Sequence, residues 1–105
     1  MFAQYQAEFS SVADEVAEKL GSVNAYSDNP MHNPPDSKLE TLREVEELLK
    51  QACDLAKQID VEVRSAEGSQ RRALTERAQP VREQLKRLQA EYRETSERVE
   101  RESVL

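Results

Sequence analysis

The sequence contains one histidine, His32, and one cysteine, Cys53, two residue types that often bind a metal ion or attack a substrate. His32 is the single histidine, whereas a metal site needs three or four ligands that converge on one ion. Cys53 is the single cysteine, and no histidine lies near it in the sequence to activate the thiol. We therefore predict no metal and no cofactor, and we expect Cys53 to be a small buried hydrophobe.

Neighbouring carboxylates are the other candidates for chemistry, because two acidic groups can divide the roles of general acid and general base. Glu46-Glu47 and Glu100-Glu102 are such pairs, but both lie in highly charged helical runs. General acid–base catalysis needs a dry pocket that perturbs the carboxylates, and charged helical runs are solvated. The sequence also lacks a glycine-rich phosphate loop. We predict that the chain is not an enzyme.

The size and charge of the chain limit its fold and its partners. Its 105 residues suit one domain, 1–105, which buries roughly 60 to 70% of the surface exposed on unfolding. The net charge of −6 and the sequence pI near 4.9 argue against nucleic acid, because phosphate contacts need concentrated lysine and arginine. A lone cysteine fits a reducing compartment. No signal peptide is visible, and no segment reaches the ~20 apolar residues of a membrane span, so we expect a soluble, cytosolic chain.

An apolar stripe in the middle of the chain organises the rest. Its members are separated alternately by three and four positions, which places them on one face of an α-helix. The stripe consists of Leu42, Val45, Leu49, Ala52, Ala56, Ile59, Val63 and Ala66. Leu48 and Leu55 widen this face, so that it can contact two neighbouring helices. The pattern predicts a central helix over 38–66, with Ser37 and Glu40 as its capping box.

Similar stripes predict one helix on each side. They consist of Phe2, Tyr5, Phe9, Val12, Val16, Leu20 and Val23, and of Leu74, Ala78, Val81, Leu85, Leu88, Tyr92, Thr95 and Val99. We expect helices over 2–20 and 70–101, with Gly21 ending the first, Gly68 ending the central helix and Ser69 capping the third. The predicted fold is all-α, an antiparallel up-down-up three-helix bundle without a sheet.

Prolines mark two departures from this regular pattern. Residues 24–36 include Pro30, Pro34 and Pro35 and have no helical period, which predicts a long loop. Pro80 lies within the third helical segment but outside its apolar stripe. Because an interior proline costs ~3 kcal/mol or more, we expect the third helix to bend at Pro80 without ending there.

Two segments of the sequence resemble a known family. Residues 2–9 resemble the opening F-x-x-Y-x-x-x-F of the Qb-SNAREs named for vesicle transport through interaction with t-SNAREs. Residues 59–64 resemble the motif M-D-x-E-V/L-R at the end of that family's second helix. The family's third helix then aligns without a gap, through Ser69, Arg71, Arg82, Leu85 and Leu88.

The resemblance implies the N-terminal, Habc-like three-helix domain of a SNARE, which precedes a SNARE motif and a membrane anchor in the full-length protein. It implies membrane fusion and intracellular protein transport at the cytoplasmic face of Golgi, endosomal or vacuolar membranes. The implied partners are sorting adaptors or tethers, among them an epsin-related adaptor of the ENTH type, and other SNAREs through the SNARE motif. The isolated domain is expected to be monomeric.

The resemblance also implies where an adaptor binds. In such proteins the contacts include the corner between the second and third helices. That corner here contains five candidate partner-binding residues, Arg64, Ser69, Gln70, Arg71 and Arg72. Gln70 and Arg71 stand where some members carry an exposed aromatic residue.

Two other hypotheses follow from the bundle without the resemblance. A spectrin-like three-helix spacer would hold distance and self-associate, and sequence beyond residue 105 would show further bundles instead of a SNARE heptad region. The arginines of the third helix could also form a patch for anionic lipids. Interleaved glutamates, such as Glu83, Glu91 and Glu94, dilute that patch.

Overall fold

Three α-helices make up the chain in the computed structural model, which describes residues 1–25 and 35–104. Helix α1 is Phe2–Ala25, α2 is Pro35–Ser65 and α3 is Gly68–Val104. Side chains are described for residues 1–24 and 38–101. These ranges contain no strand, so the all-α prediction is confirmed. The predicted loop residues 26–34, His32 among them, lie outside the described residues.

Polar contacts between the helices define an up-down-up arrangement. Lys19 Nζ lies 2.9 Å from Glu44 Oε2, which joins the later part of α1 to the earlier part of α2. Arg77 Nη2 donates to Gln6 Oε1 at 3.1 Å, and Arg98 donates to Asn24 Oδ1, so α3 runs parallel to α1. The bundle is a rod of 56 × 19 × 17 Å. The predicted three-helix bundle is therefore confirmed.

The core is built from the three predicted stripes. Its buried apolar residues are Phe2, Phe9, Ala13, Val16, Leu20, Val23, Leu42, Val45, Leu49, Ala52, Ala56, Ile59, Val63, Ala78, Val81, Leu88 and Val99. Tyr5, Val12, Leu74, Leu85 and Tyr92 pack against this core while remaining half-buried. Each large apolar side chain that is fully buried stabilises the fold by about 1.5 to 3 kcal/mol.

Helix α1 is longer than predicted, because Gly21 does not end it. The helix continues for another turn to Ala25, and this turn buries Val23 to 2% exposure. A glycine inside a helix costs about 1 kcal/mol relative to alanine, whereas burying a valine returns about 1.5 kcal/mol or more. Packing of the last turn therefore outweighs the local preference of Gly21.

Helix α2 begins before the predicted capping box. Its first residue is Pro35 rather than a residue after Ser37. Proline suits the first position of a helix, because its φ angle is already helical and its missing N–H has no partner there. The predicted loop was wrong at both of its ends, since residues 24, 25, 35 and 36 are helical.

The connection between α2 and α3 consists of Ala66 and Glu67. The Ala66 N–H donates to the Val63 carbonyl at 3.2 Å and closes the last turn of α2, and the Arg71 N–H donates to the Glu67 carbonyl at 3.4 Å. Glu67 is thus the N-cap of α3, and the prediction of Ser69 for that role was wrong. Gly68 adopts a φ of 62° as the first residue of α3, not as the cap of α2.

Helix α3 continues through Pro80 without a break. The proline is exposed, and its neighbours Ala78 and Val81 are both buried. The ring therefore faces solvent while the apolar stripe stays on the core. The prediction of one continuous third helix instead of two helices is confirmed.

Candidate docking surface

The five candidate partner-binding residues are all exposed and lie at one end of the rod. Arg64 is in the last turn of α2, and Ser69, Gln70, Arg71 and Arg72 are in the first turns of α3. Arg71 and Arg72 line a shallow depression on α3 of about 370 Å³, together with Gly68, Thr75 and Glu76. The structure thus places Arg71 and Arg72 in one depression, with Arg64 across the short connection. We call the surface formed by Val61 and residues 64–72 the corner.

Hydroxyl groups near the corner are bonded within their own helices. Ser65 Oγ donates to the Val61 carbonyl at 2.9 Å, and Thr75 Oγ1 donates to the Arg71 carbonyl at 2.7 Å. Bonds to a carbonyl four residues earlier are a common way for serine and threonine to be satisfied on a helix.

Val61 is a surface residue that the sequence analysis missed. Its side chain is 51% exposed, which sets it apart from the buried Ile59 and Val63 on either side. Because residues three apart share a helical face, Val61 lies on the same face of α2 as Arg64. The sequence could have indicated that Val61 is exposed, because Val61 lies outside the apolar stripe of α2. Val61 gives the corner an apolar contact that Gln70 and Arg71 do not provide.

The first turn of α1 is held against α3 close to the corner. The Arg77 guanidinium carbon lies 5.1 Å from the centre of the Phe2 ring, within the range of a cation–π contact. The same side chain donates to Gln6. Met1, 80% exposed, therefore lies at the same end of the rod as the corner.

An ion pair fastens α2 to α3 next to the corner. Arg82 Nε and Nη2 lie 3.1 and 2.5 Å from Asp60 Oδ1. Asp60 belongs to the segment 59–64 that carries the family resemblance, and Arg82 to the third helix that aligns with it. The Asp60 side chain is 34% exposed and the Arg82 side chain is 46% exposed. Because the pair is partly solvated, it contributes only ~0 to 1 kcal/mol to the stability of the fold.

The corner is positively charged although the chain is acidic. Arg64, Arg71 and Arg72 outnumber the exposed Glu67 there, and the amino-terminal end of the α3 dipole adds to the positive charge. The whole chain has a net charge of −6. Away from the corner, positive side chains pair with carboxylates. At Lys19, for example, the hydrogen bond to Glu44 raises the pKa of the ammonium group above its usual value. The three arginines of the corner therefore offer guanidinium groups that can pair with carboxylates.

A second concave surface runs between α2 and α3 and has a volume of about 590 Å³. Cys53 lies on it, half-buried, with its Sγ 3.6 Å from Gln89 Nε2. The expectation of a fully buried Cys53 was therefore wrong in degree. Burial raises the pKa of Tyr92 on the same surface, and the Glu46 carboxylate raises it further. We call this surface the α2–α3 groove.

Neither a metal cluster nor a membrane span is found in the part of the chain that the structure describes. Within residues 1–25 and 35–104, no group of three or more histidine, cysteine, aspartate or glutamate side chains is arranged so that it could hold a metal ion. None of the three described helices combines the length and the apolar character that crossing a membrane requires.

The fold defines the class of the protein, a three-helix bundle domain with an exposed basic corner. Comparison with known families matches residues 1–96 to the family described as vesicle transport v-SNARE protein N-terminus. The chain belongs to this family, and the resemblance seen in the sequence is confirmed. A search of curated proteins and a search of solved structures gave no match.

Family membership gives the general role of the chain. The family is a non-catalytic trafficking family, so the role of the chain lies in membrane-associated vesicle transport.

Proposed function

We propose that this chain is the protein-interaction domain of a Qb-type SNARE, folded as one domain over 1–105, and that it recruits a sorting adaptor through its corner. The domain carries out no catalysis. In the full-length protein a SNARE motif drives membrane fusion, and the bundle selects the vesicle by binding the adaptor. The site of action is the cytoplasmic face of Golgi, endosomal or vacuolar membranes.

The exposure of the corner is the observation that carries this proposal. Arg64, Ser69, Gln70, Arg71 and Arg72 are all exposed, and the exposed Val61 lies on the Arg64 face of α2. Interfaces commonly combine arginine side chains with an apolar contact that water does not reach. The corner offers both within one short stretch of surface.

The chemistry of the corner indicates the complementary surface of the adaptor. A guanidinium group binds carboxylates through two parallel hydrogen bonds. We therefore expect an ENTH-type adaptor to present two or three acidic side chains around a small apolar spot that receives Val61. A tether with the same surface would bind in the same place.

The spacer hypothesis explains less of the molecule. A rod 56 Å long suits a spacer, but membership in a trafficking family favours docking. A spacer also needs no basic corner, because bundles in a row are held by their connections and by apolar contacts. We therefore place the function in adaptor recruitment.

Calorimetric titration of the chain with a purified ENTH domain from an epsin-related adaptor tests the proposal. We expect binding, and we expect the triple variant Arg64→Glu, Arg71→Glu and Arg72→Glu to bind at least about tenfold more weakly, because each reversal removes an attraction and adds a repulsion. All three positions are exposed, so the variant should keep its helical circular dichroism spectrum.

A matched control carries the same change of charge elsewhere on α3. Lys86→Glu, Arg87→Glu and Arg101→Glu are three exposed positions outside the corner. Their combined variant should keep most of the affinity at moderate salt, since exposed charges farther away than the Debye length are screened. Equal loss of affinity in both triple variants, or no binding of the ENTH domain by the unmodified chain, contradicts the proposal.

A further inference from the structure

The hydroxyl group of Ser69 is accessible at the start of α3 and is not used by the packing of the bundle. Ser69 is exposed, and its hydroxyl makes no hydrogen bond within the part of the chain that the structure describes. The nearby hydroxyls of Ser65 and Thr75 donate to carbonyl groups of their own helices. Ser69 can therefore carry a covalent group without the loss of a hydrogen bond that holds the fold.

Ser69 differs from the other serines whose side chains the structure describes as exposed. Ser10, Ser11 and Ser22 belong to α1, which contains no arginine. The Ser65 hydroxyl is already bonded within α2. Among these exposed serines, Ser69 alone combines an unbonded hydroxyl with arginines in the same segment of the chain.

Basic side chains lie on both sides of Ser69. Arg71 and Arg72 follow it by two and three positions, and Arg64 is in the last turn of α2. Within the described residues, none of these three guanidinium groups is held by an ion pair or a hydrogen bond. Protein kinases select substrates by the pattern of charge around the acceptor residue. Residues 67–72 therefore suit a serine kinase that prefers basic residues after the acceptor.

The start of α3 is held weakly enough to enter the site of a modifying enzyme. Ser69 is the second residue of α3, and residues 68–77 include no fully buried side chain. The first buried residue is Ala78, roughly two and a half turns farther along. Segments with few buried apolar contacts open locally at a low cost in free energy. The first turn of α3 can therefore separate from the bundle while Ala78 and Val81 stay in the core.

A phosphoryl group on Ser69 would change the charge of the corner. The corner contains three arginines and one acidic residue, Glu67, which gives it a net charge of +2. A phosphoserine carries roughly −1.5 to −2 at pH 7, so it nearly cancels this charge. Ser69 and Arg72 are three positions apart, and residues at this spacing share a helical face. The phosphate oxygens can therefore accept hydrogen bonds from the Arg72 guanidinium, which then no longer binds a carboxylate of a partner.

We propose that Ser69 is a phosphorylation site, and that its phosphate pairs with Arg72 and closes the corner to acidic partners. A serine kinase transfers the γ-phosphoryl group of ATP to Ser69 Oγ. The bond from Oγ to phosphorus forms, the bond from phosphorus to the β–γ bridging oxygen breaks, ADP leaves and the hydroxyl proton passes to a base of the kinase. Hydrolysis by a phosphatase consumes water, releases inorganic phosphate and restores the hydroxyl. The effect on the adaptor rests on the proposed function of the corner.

Mass spectrometry tests the site on the 105-residue chain. The chain is treated with ATP and a panel of purified serine kinases that prefer basic residues, and the phosphorylated position is located after digestion. We expect Ser69 to be modified at least about tenfold faster than Ser22, which has no arginine nearby. Arg71→Gln with Arg72→Gln should slow the modification. No phosphate on Ser69 from any kinase of the panel, or an unchanged rate in this double variant, overturns the proposal.

Phosphorus NMR tests the pairing with Arg72 without any partner protein. A chain that carries phosphoserine at position 69 is prepared by incorporation during translation, and the phosphate signal is followed against pH. The phosphate should titrate at a lower pH with Arg72 present than in the Arg72→Gln variant, because a guanidinium group stabilises the dianion. Identical titration of the two chains overturns the pairing.

Calorimetric titration with the purified ENTH domain tests the closing of the corner. Phosphoserine at position 69 should weaken binding by at least about tenfold, because it adds a repulsion and occupies Arg72. Phosphoserine at the exposed position 22 of α1 adds the same charge outside the corner and should keep most of the affinity. Unchanged affinity with phosphate on Ser69, or equal weakening by both, overturns the proposal. Absence of binding by the unmodified chain overturns the proposed function alone, because mass spectrometry and phosphorus NMR decide the site and its pairing separately.

Discussion

Helices α2 and α3 lie side by side but contribute differently to the bundle. Helix α2 buries an apolar residue at almost every turn, at Leu42, Val45, Leu49, Ala52, Ala56, Ile59 and Val63. Helix α3 is longer, with 37 residues against 31, yet over residues 68–101, whose side chains are described, its buried apolar residues are only Ala78, Val81, Leu88 and Val99. Between residues 68 and 77 no side chain of α3 is fully buried. The core therefore depends more on α2 than on α3, and the start of α3 is free to form a surface.

The largest expected effect comes from placing a charge in the part of α2 that supports the core. Ile59 is 1% exposed, and an unpaired carboxylate there costs several kcal/mol, a large part of the ~5 to 15 kcal/mol that stabilises a typical domain. Ile59→Asp should therefore abolish the cooperative thermal transition seen by circular dichroism. The same change at the half-buried Leu74 of α3 should leave a folded chain with a lower melting temperature. Equal effects at the two positions would contradict the comparison.

Pro80 provides a stabilising change on α3. An interior proline removes a backbone hydrogen bond and costs up to ~3 kcal/mol relative to alanine. The ring is exposed and makes no part of the core. Pro80→Ala should therefore raise the free energy of unfolding measured by urea titration, by about 1 to 3 kcal/mol. A neutral or lower value would show that α3 needs the proline for its packing.

The two glycines of the chain should respond to alanine with opposite signs. Gly68 has a φ of 62°, which costs a residue with a side chain about 1 to 2 kcal/mol. Gly21 lies inside α1 with no atom within 4 Å of an added Cβ, so alanine there should stabilise the fold by about 0.4 to 1 kcal/mol. Urea titration of the two single variants measures both changes. A stabilising Gly68→Ala would mean that the connection between α2 and α3 adopts another conformation.

The smallest effect is expected at the Asp60–Arg82 ion pair. A double-mutant cycle of Asp60→Ala and Arg82→Ala should give a coupling free energy of ~0 to 1 kcal/mol, lowered further by salt, because the pair is partly solvated. The pair then serves to fix the corner rather than to stabilise the fold. A coupling well above that range would place this contact among the main supports of the bundle.

Much of the fold could be predicted from periodicity alone. The spacing of three and four positions identified the helices and most of the core, because the side chains that share a helical face are fixed by the geometry of the helix. The stripe of α2 is confirmed at every position except Ala66, which is half-buried after the helix has ended. The third stripe also predicted correctly that α3 passes Pro80.

The ends of the helices could not be predicted as well, because they depend on packing. Gly21 and Ser37 have strong local preferences, but Val23 gains more from burial and Pro35 suits the first helical position better. The surfaces were harder still. The exposure of Val61 and the opening of the α2–α3 groove depend on the register of α2 against α3, which local spacing does not determine.

The central claim is that the end of α2 and the start of α3 form the docking surface. Chemical-shift mapping by NMR tests this claim most directly. The isotopically labelled chain is titrated with the purified ENTH domain. We predict that the largest shifts fall on residues 61–72, with little change along α1 or the α2–α3 groove. Shifts that concentrate on Leu49, Cys53 and Tyr92, or an unchanged spectrum at saturating adaptor, would contradict the account.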